Sequence, residues 1–137
     1  MSVVVSCRSL LSFLGNENNG IRMESQKGVN LKFRMSPNVS VRTDQFAEAV
    51  RFYNQVIGFE VRSQSDITAD LDASPLTLFI DDDHELQGPV MELFVDDLEA
   101  AKEVLVANGC KVLRWRGKGQ DCYIEDPYGV RFNIWEE

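Results

Sequence analysis

Histidine is nearly absent from this 137-residue chain; there is one, His84. Metal centres and acid–base dyads that recruit several imidazoles have little to draw on. Cysteine is sparse as well. Cys7, Cys110 and Cys122 are odd in number and show no CxxC spacing, so they read as reduced packing thiols of an intracellular protein. No GxSxG, P-loop or HExxH arrangement occurs, and a Cys/His or Ser/His nucleophile system has little support. No apolar run approaches the roughly 18 residues of a membrane span, and nothing resembles a secretory signal. Basic residues are in deficit, with 14 Lys/Arg against 22 Asp/Glu and a net charge of -8. Nucleic-acid binding needs the opposite, a basic face that neutralises phosphates. Neither nucleic acid nor membrane is expected as a partner.

What remains is an ordinary globular composition, 44% hydrophobic and 26% charged, in a length that suits one domain. Such a chain can bury about 65% of its unfolded surface. Its charge is uneven: residues 1–34 hold five Lys/Arg and two Asp/Glu, whereas the rest hold nine and twenty. The first stretch is Ser/Asn-rich and has little periodicity beyond Leu10–Leu14. Residues 1–35 are therefore read as an extension ahead of a domain at 36–137. The extension reads as disordered, or as sequence before a later start at Met23 or Met35. The alternative is a transit segment, which is basic and Ser-rich but poor in acids, against which Glu17 and Glu24 count. The expected location is cytoplasmic, with a plastid or other organelle as the alternative.

The domain repeats itself. Residues 39–62, VSVRTDQFAEAVRFYNQVIGFEVR, and 91–114, MELFVDDLEAAKEVLVANGCKVLR, share an alternating segment, an acidic turn, a helical run, a glycine and a second alternating segment. In the first copy Asn38–Arg42 predicts a strand, Asp44 a helix cap, and Phe46, Ala49, Val50, Tyr53 and Val56 or Ile57 the apolar face of a helix through about Gln55. Gly58 stops it. Strands are predicted from Phe59–Arg62, 66–72 and Leu76–Asp81, followed by a polar linker at Asp82–Pro89. The second copy predicts a strand at Val90–Val95, a cap at Asp96 or Asp97, a helix through Ala107, and strands at Lys111–Trp115, Asp121–Glu125 and Val130–Trp135. The result is an α+β fold of two βαβββ modules, 37–82 and 89–137, with helices on one face of curved sheets.

FYNQVIGFEV and the closing DPYGVRFNIWE, in register with that duplication, resemble signature segments of the vicinal oxygen chelate superfamily. That superfamily includes glyoxalase I, bleomycin-resistance proteins, ring-cleaving dioxygenases and epimerases. The resemblance covers residues 37–137. It implies a curved, barrel-like mixed sheet with a concave cleft, and commonly a homodimer. In metal-using members it also implies four ligands, two per module. Carried over by register, these positions read Asn38, Phe79, Val90 and Asn133. Two are apolar and two are neutral amides, so no metal and no other cofactor is expected. The cluster DDDHE around His84 lacks calcium-loop spacing and reads as a solvated surface.

Strand alternation sorts the cleft from the core. Val39 and Val41 oppose Asn38, Ser40 and Arg42; Leu76, Leu78 and Ile80 oppose Thr77, Phe79 and Asp81. Met91, Leu93 and Val95 oppose Val90, Glu92 and Phe94; Val130, Phe132 and Ile134 oppose Arg131, Asn133 and Trp135. The predicted ligand-binding set is Asn38, Ser40, Arg42, Phe79, Phe94, Arg131, Asn133 and Trp135. Glu92 is the candidate catalytic group, as a general base, or else a hydrogen-bond acceptor. Arg42 or Arg131 would bind an anionic group, or form a structural ion pair with Glu92. Trp115 and Tyr123 either line the cleft or pack at a subunit contact. The expected function is metal-independent binding of a small aromatic or amphipathic molecule. The alternatives are a glyoxalase I-like lyase or isomerase and a non-catalytic interaction module, so whether the protein is an enzyme stays open.

Overall fold

The computed structural model describes residues 31–137. The expectations for residues 1–30, whether extension or targeting segment, lie outside the described residues. Eight strands and two helices follow one another as β1 Phe33–Thr43, α1 Phe46–Arg51, β2 Glu60–Gln64, β3 Thr68–Ala73, β4 Leu76–Asp82, β5 Gly88–Val95, α2 Leu98–Ala107, β6 Lys111–Trp115, β7 Cys122–Glu125 and β8 Arg131–Glu136. This is the βαβββ plan twice over. The strands form one mixed sheet in the order β2-β3-β4-β1-β5-β8-β7-β6. The order is symmetric about the antiparallel β1–β5 pair, and β1 runs parallel to β4 as β5 does to β8. The duplication in sequence is thus a duplication in topology, and the four central strands come from equivalent places in the two modules.

The apolar faces of these strands form the core as alternation requires. Leu71, Leu78, Ile80, Ala69 and Val50 are buried, with Val39, Val41, Phe46, Ala49 and Tyr53 packed against them. Fully burying side chains such as Leu71 and Ile80 contributes about 1.5–3 kcal/mol each. In the second module Val95, Leu98, Ala101, Ile124 and Ile134 are buried in the same way. Asp97 caps α2 by accepting a hydrogen bond from the Ala100 amide at 3.0 Å. Beyond its end Gly109 adopts φ 95°, and a Cβ there would also meet Pro127 Cγ at 3.3 Å.

The first helix departs from expectation. Its cap is Gln45 and makes no side-chain hydrogen bond, so Asp44 does not cap it. The α-helix ends at Arg51, and Phe52–Ile57 forms a π-helical turn before left-handed Gly58. A π-turn inserts a residue into the ladder and rotates everything beyond it. Tyr53 stays on the core, but Val56 and Ile57, expected on the buried face, are 70% and 49% exposed. β1 is also longer than the predicted Asn38–Arg42 and starts at Phe33. β4 and β5 extend to Asp82 and from Gly88, shortening the expected linker.

Candidate functional site

Opposite the helices, strands β4, β1, β5 and β8 line a cleft of about 520 Å³. Asn38, Ser40, Arg42, Phe79, Glu92, Phe94, Asn133 and Trp135 all face it, together with Val90 and Met91. The volume falls in the range of small-molecule sites. Arg131 is not among them. It shares a strand face with Asn133 but stands at the first residue of β8. There the Gln87 carbonyl accepts from its Nη1 at 2.7 Å and Glu125 accepts from its Nε at 3.3 Å.

Glu92 stands at the floor, where the two modules meet. The β1–β5 register jumps from Met35↔Leu93 to Val39↔Met91, leaving Ser36, Pro37 and Asn38 opposite Glu92. This bulge is closed by the Asn38 amide donating to Ser36 Oγ at 3.0 Å. Bulges re-aim side chains, and here Asn38 Nδ2 donates to Glu92 Oε1 at 2.9 Å. From the other side Asn133, the register partner of Glu92 on β8, donates through Nδ2 to Glu92 Oε2 at 3.3 Å. Asn133 Oδ1 accepts from the Cys122 amide at 3.0 Å. That bond fixes the orientation of the Asn133 amide, because turning it over would set oxygen against the carboxylate. The expected Glu92–arginine ion pair is absent: both oxygens of Glu92 are held by neutral amides.

Arg42 is occupied elsewhere, which corrects its expected role as a free anion-binding group. It donates to Asp83 at 2.7 Å and lies 3.3 Å from Asp81 and 3.4 Å from Asp121. Arg114 of β6 meets Asp83 at 2.8 Å and Asp121 at 3.1 Å. The backbone amides of Glu85 and Leu86 also donate to Asp83, each at 2.9 Å. Burial alone would push the Asp83 carboxyl up. The bonds from Arg114, Leu86, Arg42 and Glu85 outweigh it and hold the group far below the usual carboxylate range. So the DDDHE segment is not simply a solvated surface; its third aspartate is buried, while His84 remains exposed.

Both guanidiniums also lie over the ring of Tyr123, at 4.9 Å for Arg42 and 5.4 Å for Arg114. Tyr123 is 2% exposed and, with Asp81 and Asp121, completes the cleft wall. Burial pushes its phenol well above the ordinary value, with Arg42 opposing. Tyr123, named from sequence as either a cleft or a subunit-contact residue, thus lines the cleft. Asp81 and Asp121 were missed as site residues, although a period-2 signal existed: Asp81 follows Phe79, and Asp121, just ahead of β7, stands two residues before Tyr123. Trp115, the other undecided aromatic, lies away from the cleft lining; its indole donates to Glu99 at 3.0 Å and Lys102 covers its ring.

The register positions where metal-using proteins of this fold would bind a cation do not suit one. Phe79 and Val90 have no lone pair, Asn133 Oδ1 is taken by a backbone amide, and both asparagines turn N–H toward the carboxylate. No group of three or more His, Cys, Asp or Glu placed to hold a metal occurs among the described residues. No helix among them is long and apolar enough to cross a membrane.

An open, eight-stranded duplicated sheet with a cleft across its central strands defines a class. Residues 36–134 match the family model of the Glyoxalase/Bleomycin resistance protein/Dioxygenase superfamily, and the chain belongs to that superfamily. The fold is similar to that of a hypothetical protein from Bacillus halodurans, at 12% identity and a TM-score of 0.56 over 77% of this chain and 95% of that one. It is also similar to a superfamily member from Vibrio splendidus, at 14% identity and 0.53 over 77% and 100%. Homoprotocatechuate 2,3-dioxygenase from Brevibacterium fuscum, solved with 3,4-dihydroxyphenylacetate, matches at 20% identity and 0.53, over 76% of this chain but 36% of that one. At these identities the likeness is one of fold. No curated protein matches the chain significantly.

Proposed function

We propose that this protein is a metal-independent member of the superfamily that sequesters a small aromatic or amphipathic molecule in the cleft. The observation that carries the reading is the floor: a carboxylate pinned by Asn38 and Asn133, set among Phe79, Phe94 and Trp135. Aromatic walls supply stacking area, and a few oriented polar groups fix the ligand. No bond-making step is required of these residues. A glyoxalase I-like lyase would need cation ligands that the four register positions do not offer. Pairing into a homodimer belongs to the same reading and is supported by the exposed Phe52, Val56 and Ile57 of the π-turn.

The test joins metal analysis to a ligand screen. Protein purified without added ions is expected to hold no stoichiometric metal, and a chelator should leave its melting temperature unchanged. A bound ligand at a hundred times its Kd should add about 2.7 kcal/mol to stability. Stoichiometric zinc, nickel or manganese together with turnover of the methylglyoxal–glutathione hemithioacetal would overturn the proposal.

A further inference from the structure

Four carboxylates line the cleft, and three have cationic partners. Asp81 meets Arg42 at 3.3 Å, Asp121 meets Arg42 at 3.4 Å and Arg114 at 3.1 Å, and Glu137 pairs with Arg34. Glu92 is the exception. Among the described residues its partners are two neutral amides, and it forms no ion pair. A half-buried carboxylate without a countercharge is electrostatically incomplete, because amide dipoles orient it but do not neutralise it.

Among the described residues that line the cleft the one cation is Arg42, which cannot serve an incoming anion, since Asp81, Asp83 and Asp121 already surround it. Arg34, over the Phe94 ring, is paired with Glu137. Among the described residues, an anionic ligand would therefore meet Glu92 and the other carboxylates with no unpaired positive group at the cleft. A cationic ligand would meet an acceptor. Each Glu92 oxygen takes one amide donor and retains lone-pair capacity for another. Phe79 and Trp135 line the same cavity beside Phe94, whose ring already carries Arg34 at 5.4 Å, and they offer stacking area to an apolar body.

Resting on the sequestration reading above, we propose that the cleft selects an organic cation with N–H donors on an apolar body, such as an arylalkyl ammonium or amidinium. The nitrogen seats on Glu92, and the apolar body lies against the three aromatic side chains.

A matched trio tests this: 1-naphthylmethylammonium, 1-naphthylmethanol and 1-naphthoate share one ring system and differ in charge. Binding is measured by calorimetry at low ionic strength to the wild-type protein and to E92Q and W135L, each checked for native circular dichroism. The ammonium should bind at least about tenfold more tightly than the alcohol, with naphthoate weakest. E92Q should bring the ammonium down to the affinity of the alcohol, whereas W135L should weaken both alike. Equal or tighter binding of the alcohol or of naphthoate overturns cation selection and leaves sequestration standing. A preference for the ammonium that survives E92Q overturns the assignment to Glu92. Saturable binding by none of the three, or binding indifferent to W135L, overturns cation selection in this cleft; in the first case sequestration falls with it.

Discussion

Glu92 and Asp83 are both drawn from open water, and both oxygens of each accept N–H donors. Their surroundings differ in charge. Among the described residues, Asp83 has two guanidiniums and two backbone amides, whereas Glu92 has two side-chain amides and no cation. Asp83 is part of a network that draws β1 and the end of β4 in the first module toward β6 and the start of β7 in the second. Its charge is used up in the fold. Glu92 is as well oriented, but its charge is left over and faces a cavity. A carboxylate's donors therefore say little about its role until they are divided into charged and neutral ones.

The same chemical change at each site separates the two most sharply. Asp83→Asn removes a buried charge from between Arg42 and Arg114 and turns an N–H toward their donors. Breaking a buried pair from one side costs about 3–5 kcal/mol. The lower end is expected here, because Asp81, Asp121 and Glu85 retain some hold on the arginines. Urea titration should show that loss, and the melting temperature should fall by roughly 10 °C.

The acid limb follows from the same group. The Asp83 carboxyl lies below its ordinary value in the folded chain, so its stabilisation is fully present above the unfolded value of about 3.9. Below that pH the unfolded chain takes up the proton first, and stability falls as pH drops toward the depressed folded value. The slope approaches at most about 1.4 kcal/mol per pH unit for this one group. Urea titrations between pH 5 and about pH 2 should show a decline that is shallower in Asp83→Asn than in the parent.

Glu92→Gln should be almost silent in the folded state. Asn133 cannot turn over, because Cys122 holds its Oδ1, so the new carboxamide presents its oxygen to Asn133 and its N–H to Asn38. Asn38 is free to reverse and accept. With every donor matched, the cost should stay below about 1 kcal/mol by urea titration. A loss matching that at Asp83 would mean that Glu92 is a structural charge, and the contrast between the two sites would collapse.

Much of this geometry was legible from alternation. The core and cleft faces of β1, β4, β5 and β8 follow the period of two except that Val39 and Met91, from the apolar set, also reach the cleft, and Asp97 caps α2 as one of the two named candidates. What escaped depends on contacts distant in sequence. Asp83 looks like one acid in a hydrophilic run, and its burial requires Arg42 and Arg114, 41 and 31 residues away. Arg131 has the right parity for the cleft, but alternation does not say where along a strand the cavity ends. The bulge that aims Asn38 at Glu92 is also silent in sequence, though Ser36-Pro37 interrupts the ladder there. The π-turn defeated a helical face that was regular through Tyr53, because an inserted residue leaves no mark in an apolar periodicity.

The smallest expected effect concerns His84, the one histidine of the chain. Its side chain is 72% exposed and its partner, Asp82, stands 3.2 Å away. It lines a second, more polar cavity that shares Arg42, Asp81 and Asp121 with the cleft wall, while Glu92 lies only in the first. An exposed pair of this kind contributes little after solvent screening, so His84→Ala should change stability by less than about 0.5 kcal/mol. Calorimetric affinity for the naphthyl ammonium should be unchanged as well. If that affinity fell as far as in E92Q, the charge that matters would lie in the aspartate-rich second cavity. The division between a spent carboxylate network and a poised Glu92 would then have to be redrawn.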